Sequence, residues 1–444
     1  MTNKSSLSLR GDQASNTSLR VDMEIYGEAT ENIFHPTENP DGALLLNMAE
    51  NNLSWYLLKE KIASLVKENE IPDWVSNYTS SMGAPVFREA LAGFISRFLT
   101  KRLINSNHLA CSAGATPVVE VTSWILGNPG DVAVFPAPSY PVYKQDINNK
   151  AAIERYDLIT HEDISEIIDG PNVRIPHLDA ALADIESQGK RFRMLVLTNP
   201  DNPTGGMYSY KQLQKITKWC LAHNIHLIVN EIYGLSLIDT THPEIAGDYT
   251  KAVDFISFAE IMQDEQSDYL HLWYSLSKDI GVSGFRVGAV YSLNEQFLQA
   301  YNNLNAPHMV SNYTQWIFQM VLGDHDFMAD YIEKNQAALT ASYAVVVKHL
   351  RSAGVAYAPP RGSLFVWIDL SGWLHTPTKE AETDLWLDIY KKTKVLITPA
   401  DGFENAKRGQ YRLVYTAISK HGLGIAMERL CGYLANEKVE TLEV

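Results

Sequence analysis

Between about residue 84 and residue 325, short continuous apolar runs alternate with longer stretches whose apolar positions recur every three or four residues. FREALAGFISRFL (87–99) has helical spacing. DVAVFPAP (131–138) and FRMLVLTNP (192–200) read as buried strands that end in proline-rich turns. A helix is predicted from Ser209, where Ser209 and Gln212 form a capping box and Leu213, Ile216 and Cys220 share one face. HLIVNEIYG (226–234), YLHLWYSLS (269–277) and VGAVYS (287–292) add three more strands. Apolar strands between helices predict an α/β fold with a mostly parallel sheet covered on both faces.

After about residue 325 the texture changes. A long helix is predicted through ADYIEKNQAALTASYAVVVKHL (329–350), followed by strands in GSLFVWIDL (362–370), VLITPADGF (395–403) and QYRLVYTA (410–417). The strand spacing suits a smaller α+β unit. The expected division is an N-terminal arm and part of the small domain over 1–82, a large domain over 83–325 and a C-terminal small domain over 326–444. The first twenty or so residues, rich in Ser, Asn and Thr, are expected to be mobile or to lie on a partner.

Composition narrows the function. The 444 residues are 45% hydrophobic and 20% charged, an ordinary globular mixture. A net charge of −15 argues against nucleic acid and anionic membranes as partners. Three cysteines, Cys111, Cys220 and Cys431, with no CxxC pair, fit a reducing compartment. The polar start MTNKSSLSLRGDQASNTSL has no apolar core, and no run approaches the ~20 apolar residues of a membrane span, so a cytoplasmic location is expected. No metal site is predicted.

Chemistry is expected where strands end, because ligands of open α/β sheets bind beyond the carboxyl ends of the strands. YSLSKDIGVSGFRVG (274–288) ends an apolar run on Lys278. A buried lysine loses its proton readily, and its neutral amine can form a Schiff base with an aldehyde. Ser275, Ser277 and Arg286 offer hydroxyls and a guanidinium fork suited to phosphate, and Gly281 and Gly284 would let the chain return Arg286 to the pocket. In AGATPVVEV (113–121), Thr116 reads as the N-cap and Pro117 as the first helical residue, giving a second anion-binding helix end. NPDNPTGG (199–206) places Asn202 in a turn, NEIYG (230–234) places Asn230 at a strand end with Tyr233 close behind, and SYPVY (139–143) offers Tyr140 as a stacking surface.

Taken in order, ENPDGALLLNMAENNLS, SAGATPVVE, NPGDVAVFPAPSYP, TNPDNPTGG, NEIYG and YSLSKDIGVSGFRVG resemble fold-type I pyridoxal-phosphate enzymes, the aspartate aminotransferase superfamily of classes I and II. The closest likeness is to the 1-aminocyclopropane-1-carboxylate (ACC) synthase-like branch, over roughly residues 38 to 420. The resemblance implies pyridoxal 5'-phosphate as cofactor, covalently held by Lys278, which then shuttles the α-proton. It implies phosphate contacts from Ser275, Arg286, Ala115 and Thr116, stacking by Tyr140, and hydrogen bonds from Asn202 and Tyr233 to the phenolic oxygen. Arg412 would clamp the substrate α-carboxylate, and Glu50 would lie near the substrate. Tyr78 would reach the phosphate of a neighbouring subunit, which implies a homodimer with sites at its interface. The implied reaction on an α-amino acid is α,γ-elimination, cyclisation or γ-replacement, with S-adenosylmethionine or a similar γ-substituted amino acid as candidate substrate. The alternative is an aminotransferase.

The chain also departs from that pattern. Position 230 is normally an aspartate that pairs with the protonated pyridine nitrogen, and Asn230 carries no charge. Three readings stay open: chemistry that needs a weaker electron sink, an introduced substitution, or a cofactor-binding homologue with impaired catalysis. NPTG is the aminotransferase spelling where ACC synthases read NPLG, and Ser81 stands where that branch has a tyrosine.

Overall fold

The structure, a computed structural model, describes residues 6–16, 20–167, 170–251 and 253–437. Its largest sheet has seven strands: β1 (Leu109–Ser112), β2 (Val132–Ala137), β3 (Glu154–Ile159), β4 (Phe192–Thr198), β5 (His226–Asn230), β6 (Leu270–Ser275) and β7 (Gly288–Ser292). They lie in the order β1-β7-β6-β5-β4-β2-β3. From β6 to β3 all neighbours are parallel, while β7 runs antiparallel to both β1 and β6.

The continuous apolar runs follow from burial on both faces. In β4, Leu195 and Leu197 join one core while Met194 and Val196 join the core on the opposite face. Two strands escape the sequence pattern. β3 is an edge strand whose Glu154, Arg155 and Asp157 break the apolar run, and β1 is only four residues long.

Three helices position the site: α1 (Ala115–Leu126), α2 (Tyr143–Asn148) and α3 (Tyr210–Ala222). The predicted capping box of α3 is present, with Gln212 N donating to Ser209 Oγ at 3.3 Å and Ser209 N donating to Gln212 Oε1 at 2.9 Å. The helical stretch expected over 87–99 is an α-helix, Pro85–Phe94, that continues into a wider π-helical segment, Ile95–Thr100.

The long helix α4 (His325–Ser352) serves two cores. Met328 and Tyr331 pack with the large sheet, whereas Leu339, Tyr343, Val346, Val347 and Leu350 pack in a second core with residues of 364–434. That second core covers an antiparallel sheet of Ala356–Ala358, Phe365–Asp369 and Gln410–Val414. Leu44–Leu46 pairs in parallel with Val395–Ile397, and Leu44 and Leu46 belong to the same core.

In the N-terminal arm, the helix Leu9–Ser15 buries none of its residues, and residues 1–5 and 17–19 lie outside the described part. Asp22, by contrast, is fully buried. Among the described residues no helix is long and apolar enough to cross a membrane.

Candidate active site

The carboxyl ends of β4, β5 and β6, the start of α1 and the loop after β2 surround one cavity of about 250 Å³. Ala115, Thr116, Tyr140, Asn202, Asn230, Tyr233, Lys278, Arg286 and Arg412 all line it, although they span nearly 300 positions of the chain. Ser275, Glu50 and Tyr78 do not line it.

Lys278 sits on a single helical turn, Leu276–Asp279, that follows β6. The AENN stretch folds directly over this turn: Lys278 Nζ donates to the Ala49 carbonyl at 2.6 Å, and Asn51 Nδ2 donates to the Lys278 carbonyl at 3.0 Å. Asp279 anchors the turn from below, accepting from Ser236 Oγ at 2.6 Å and Leu235 N at 3.0 Å. Burial pulls the Lys278 amine down to about 8; Glu50 opposes that shift, and Arg412, Arg286 and Arg20 reinforce it. Glu50 therefore acts on the amine through its charge, while its carboxylate accepts from Ser283 Oγ at 2.9 Å.

The anion-binding end differs in detail from the sequence reading. Helix α1 begins at Ala115, so Gly114 and not Thr116 occupies the N-cap position. Gly114 has φ +101°, and a Cβ there would stand 2.3 Å from Arg286 Nη2, so the guanidinium packs directly on the glycine. Thr116 and Pro117 move inside the first turn, where backbone N–H groups have no partner within the helix. The bend that returns Arg286 is made by Gly281 (φ +68°), against which the Asn51 carbonyl packs, and by Arg286 itself in the left-handed region (φ +59°). Gly284 needs no such freedom, because its φ is ordinary and its α-carbon faces open space. Ser277 lines the cavity, while Ser275 stands behind it: its Oγ lies 2.7 Å from the Val287 carbonyl and 2.8 Å from Ser277 Oγ.

Arg412 comes from the small antiparallel sheet, where it pairs with Trp367. It is buried, with its guanidinium 4.8 Å from the Phe365 ring centroid and 5.4 Å from that of Phe403. Nη1 donates to Asn202 Oδ1 at 3.0 Å, and Nη2 donates to the Asn47 carbonyl at 3.2 Å. Burial and the nearby Arg20 lower its pKa to about 10, which leaves it charged at neutral pH.

Arg20 is a lining residue that the sequence reading missed. Its Nε donates to Asp22 Oδ1 at 2.8 Å, and buried Asp22 also accepts from Asn47 Nδ2 at 2.7 Å. An arginine two residues before an aspartate was the only signal, and it stands beside a polar arm.

The far end of the cavity is polar and nearly uncharged. Asn230, opposite Thr198 and Trp273 in the sheet, donates through Nδ2 to Tyr143 Oη at 2.8 Å and accepts from Ile232 N at 3.2 Å. Tyr143 Oη lies 3.2 Å from Thr198 Oγ1, and its ring meets Tyr140 edge-on at 5.4 Å. Tyr233 is buried against Phe365 in an edge-to-face pair at 5.3 Å, and burial raises its pKa. Tyr143 and Asp146, neither singled out in the sequence, also line this end. Elsewhere, Ser81 Oγ donates to Asn302, and Tyr78 is 98% exposed.

The residues present fit pyridoxal phosphate. An amine of lowered basicity suits an aldehyde, and Tyr140 gives an aromatic wall. Arg286, Ser277, Thr116 and the open start of α1 suit a phosphate, and the Gly114–Arg286 contact leaves no room for a side chain in that cradle.

Known proteins agree with this architecture. The model of the family "Aminotransferase class I and II" matches residues 44–430. A 1-aminocyclopropane-1-carboxylate synthase of Glycine max is 29% identical over 423 residues, covering 92% of this chain and 84% of the relative. 1-Aminocyclopropane-1-carboxylate synthase 6 of Arabidopsis thaliana is 28% identical, covering 93% and 82%. Among solved structures, an archaeal alanine:glyoxylate aminotransferase has a TM-score of 0.80 at 16% identity, covering 97% of this chain and 98% of its own. The aspartate aminotransferase of Thermus thermophilus with maleate scores 0.77 at 18% identity, covering 97% and 100%. These two share the fold; the family match over residues 44–430 carries the assignment, and the chain belongs to the class I and II aminotransferase family of fold-type I, pyridoxal-phosphate-dependent enzymes.

Proposed function

We propose that this enzyme acts on an α-amino acid bearing a γ-substituent and carries out α,γ-elimination, cyclisation or γ-replacement, with S-adenosylmethionine as a candidate substrate. The observation that carries this reading is the arrangement of the Lys278 amine and the Arg412 guanidinium in one cavity, within a chain similar over nine-tenths of its length to ACC synthases.

Bound in this cavity, pyridoxal phosphate supplies an aldehyde that condenses with amines and a conjugated ring that accepts the electron pair left at Cα. The chain supplies the rest. Arg412, held by Asn202, Asn47 and Thr398, binds the substrate α-carboxylate and fixes Cα. Lys278, whose pKa is near 8, takes the α-proton at Nζ and can return it. Arg286, Ser277 and the start of α1 would hold the phosphate, with Ser275 orienting Ser277. Tyr140 would supply the stacking wall, and Asn202 and Tyr233 would be the hydrogen-bond partners of the phenolic oxygen. Glu50 tunes Lys278. The exposed Tyr78 suits a role in a partner subunit's site, in a homodimer.

Product analysis tests the reaction. Incubation with S-adenosylmethionine should release methylthioadenosine, and borohydride reduction of the resting protein should label Lys278. Transfer of the amino group to keto acids, with no loss of a γ-group, would reject the α,γ-reading.

A second reading, an aminotransferase for an acidic amino acid, is favoured by one observation. With Arg286 committed to the phosphate, Arg412 to the α-carboxylate and Lys278 to the cofactor, Arg20 remains in the lining as a further cation, and Asp146 brings the one lining carboxyl. Such a field suits a distal carboxylate better than a sulfonium.

A further inference from the structure

The electron-accepting strength of a pyridine ring depends on whether its nitrogen is protonated, and a neighbouring carboxylate favours the protonated form. Position 230 cannot supply that carboxylate. Its amide nitrogen is committed to Tyr143 and its oxygen to the Ile232 N–H. Yet the cavity contains a carboxyl. Asp146 lies on α2 three residues beyond Tyr143, so the two share a helix face, and both line the cavity.

Three observations single it out. Asp146 is only 6% exposed. None of the influences on its ionisation is a hydrogen bond, and no described residue donates one to its carboxyl. The groups whose charges are felt around it are Glu120 of α1, Tyr140 and Tyr143, none of them cationic; Glu120 itself pairs with Lys150 at 2.9 Å. Burial and Glu120 push the carboxyl up to about 7, so near neutral pH it needs a cation to become fully ionised.

Its position fits a cation on the ring. In pyridoxal the nitrogen lies directly across the ring from the carbon bearing the aldehyde. The strongest charge influences on the Lys278 amine are Glu50, Arg412, Arg286 and Arg20, and Asp146 is not among them. Asp146 acts instead on Tyr143, three residues before it on α2, whose hydroxyl accepts from Asn230 Nδ2, and on Tyr140, which also feels Arg20, Arg412 and Arg286. We propose that Asp146 is the carboxyl partner of the cofactor's ring nitrogen, a role moved from the strand end at 230 to the adjacent helix α2.

The inference rests on the cofactor being held by Lys278, and the experiment separates the two. Holoenzyme is reconstituted with pyridoxal phosphate labelled with ¹⁵N in the ring, and the nitrogen chemical shift is read for wild type, D146N and D146N/N230D. Wild type should show a protonated nitrogen at pH 7.5. D146N should lose the protonated signal while Lys278 is still labelled by borohydride, and N230D should restore it in the D146N background. An unprotonated nitrogen in wild type, or an unchanged shift in D146N with Lys278 labelled, overturns the proposal alone. An unlabelled Lys278 in wild type removes the reading beneath it and the proposal with it. Should D146N not fold, difference infrared spectra of wild type decide. Buried Asp201, Glu231 and Asp279 are also pushed up by burial and cancel in the holo-minus-apo difference at pH 6. Loss of one protonated-carboxyl band on cofactor binding is therefore expected, and a difference spectrum with no such loss overturns the assignment.

Discussion

The two ends of the cavity are built on opposite electrostatic plans. At one end Arg412, Arg286 and Arg20 gather around Lys278, and burial first and then these three charges lower its proton affinity. At the other, Asn230, Tyr143 and Thr198 form a chain of neutral hydrogen bonds beside one carboxyl. A cationic end handles anions and keeps an amine reactive. The neutral end holds one carboxyl, Asp146, the group proposed to act on the cofactor ring. Substitutions at the cationic end should therefore damage binding and proton transfer, and those at the neutral end should alter spectra.

The largest effect is expected from K278A. Removing a general base alone costs roughly 10² to 10⁴-fold in rate, and on the proposed reading the cofactor's anchor goes as well. Because Nζ makes one hydrogen bond, to Ala49, the fold should survive, which circular dichroism checks. Partial rescue of turnover by added methylamine would identify the missing function as an amine base. Full activity in K278A would end the comparison outright.

R412K comes next. A lysine keeps the charge but loses the planar fork. One lost charge-assisted hydrogen bond is worth about 1.5–3 kcal/mol, or roughly 10- to 150-fold in kcat/KM. The loss should fall mainly on KM, and amino-acid amides lacking the carboxylate should respond little. An equal loss for acids and amides would remove Arg412 from the carboxylate site.

These two residues also mark how far the sequence could be read. The segment from Ser275 to Arg286 was legible because lysine, hydroxyls, glycines and arginine sit within one strand–turn–strand unit, where spacing alone suggests a pocket. The parallel sheet was legible because burial on both faces leaves uninterrupted apolar runs, as in β4 and β5. Arg412 came from resemblance alone, since nothing local in QYRLVYTA announces a cavity 134 positions from Lys278. Asp146 left no signal, and Arg20 left only its spacing to Asp22. Each is an ordinary charged residue whose role depends on what packs opposite it, α1 and Tyr140 for one, Asn47 and Asp22 for the other. The start of α1 was misplaced by two residues because Thr-Pro is a good local cap, while the Arg286 guanidinium packed on Gly114 fixes the turn earlier.

A third effect is a pH dependence. The Lys278 pKa is lowered from 10.5 to about 8, and only the unprotonated amine attacks an aldehyde. Condensation of apoprotein with pyridoxal phosphate should therefore accelerate about tenfold per pH unit up to pH 8 and level off above it. Stopped-flow absorbance measures this directly. A rate that keeps climbing to pH 10 would mean an ordinary lysine, and the crowding of cations around it would then have no consequence.

The smallest effect concerns Arg20, and it bears on which reaction the cationic end serves. Its side chain is 11% exposed and already paired with Asp22, so its influence on a substrate is partly neutralised. Replacing it alone would strand the buried Asp22 carboxylate, so the clean variant is R20M/D22N, in which an amide can still meet Asn47. If the distal part of the substrate is anionic, the double variant should lose about 1 kcal/mol, roughly fivefold in kcat/KM, for an acidic amino acid and nothing for a neutral one. If the substrate carries a sulfonium, removing a nearby cation should instead raise kcat/KM for S-adenosylmethionine by a similar factor. Added salt should shrink either change, because it screens charge. The sign of this one shift therefore distinguishes the two reactions: the cationic end either recruits a second carboxylate or tolerates a positive substrate that Arg20 holds back.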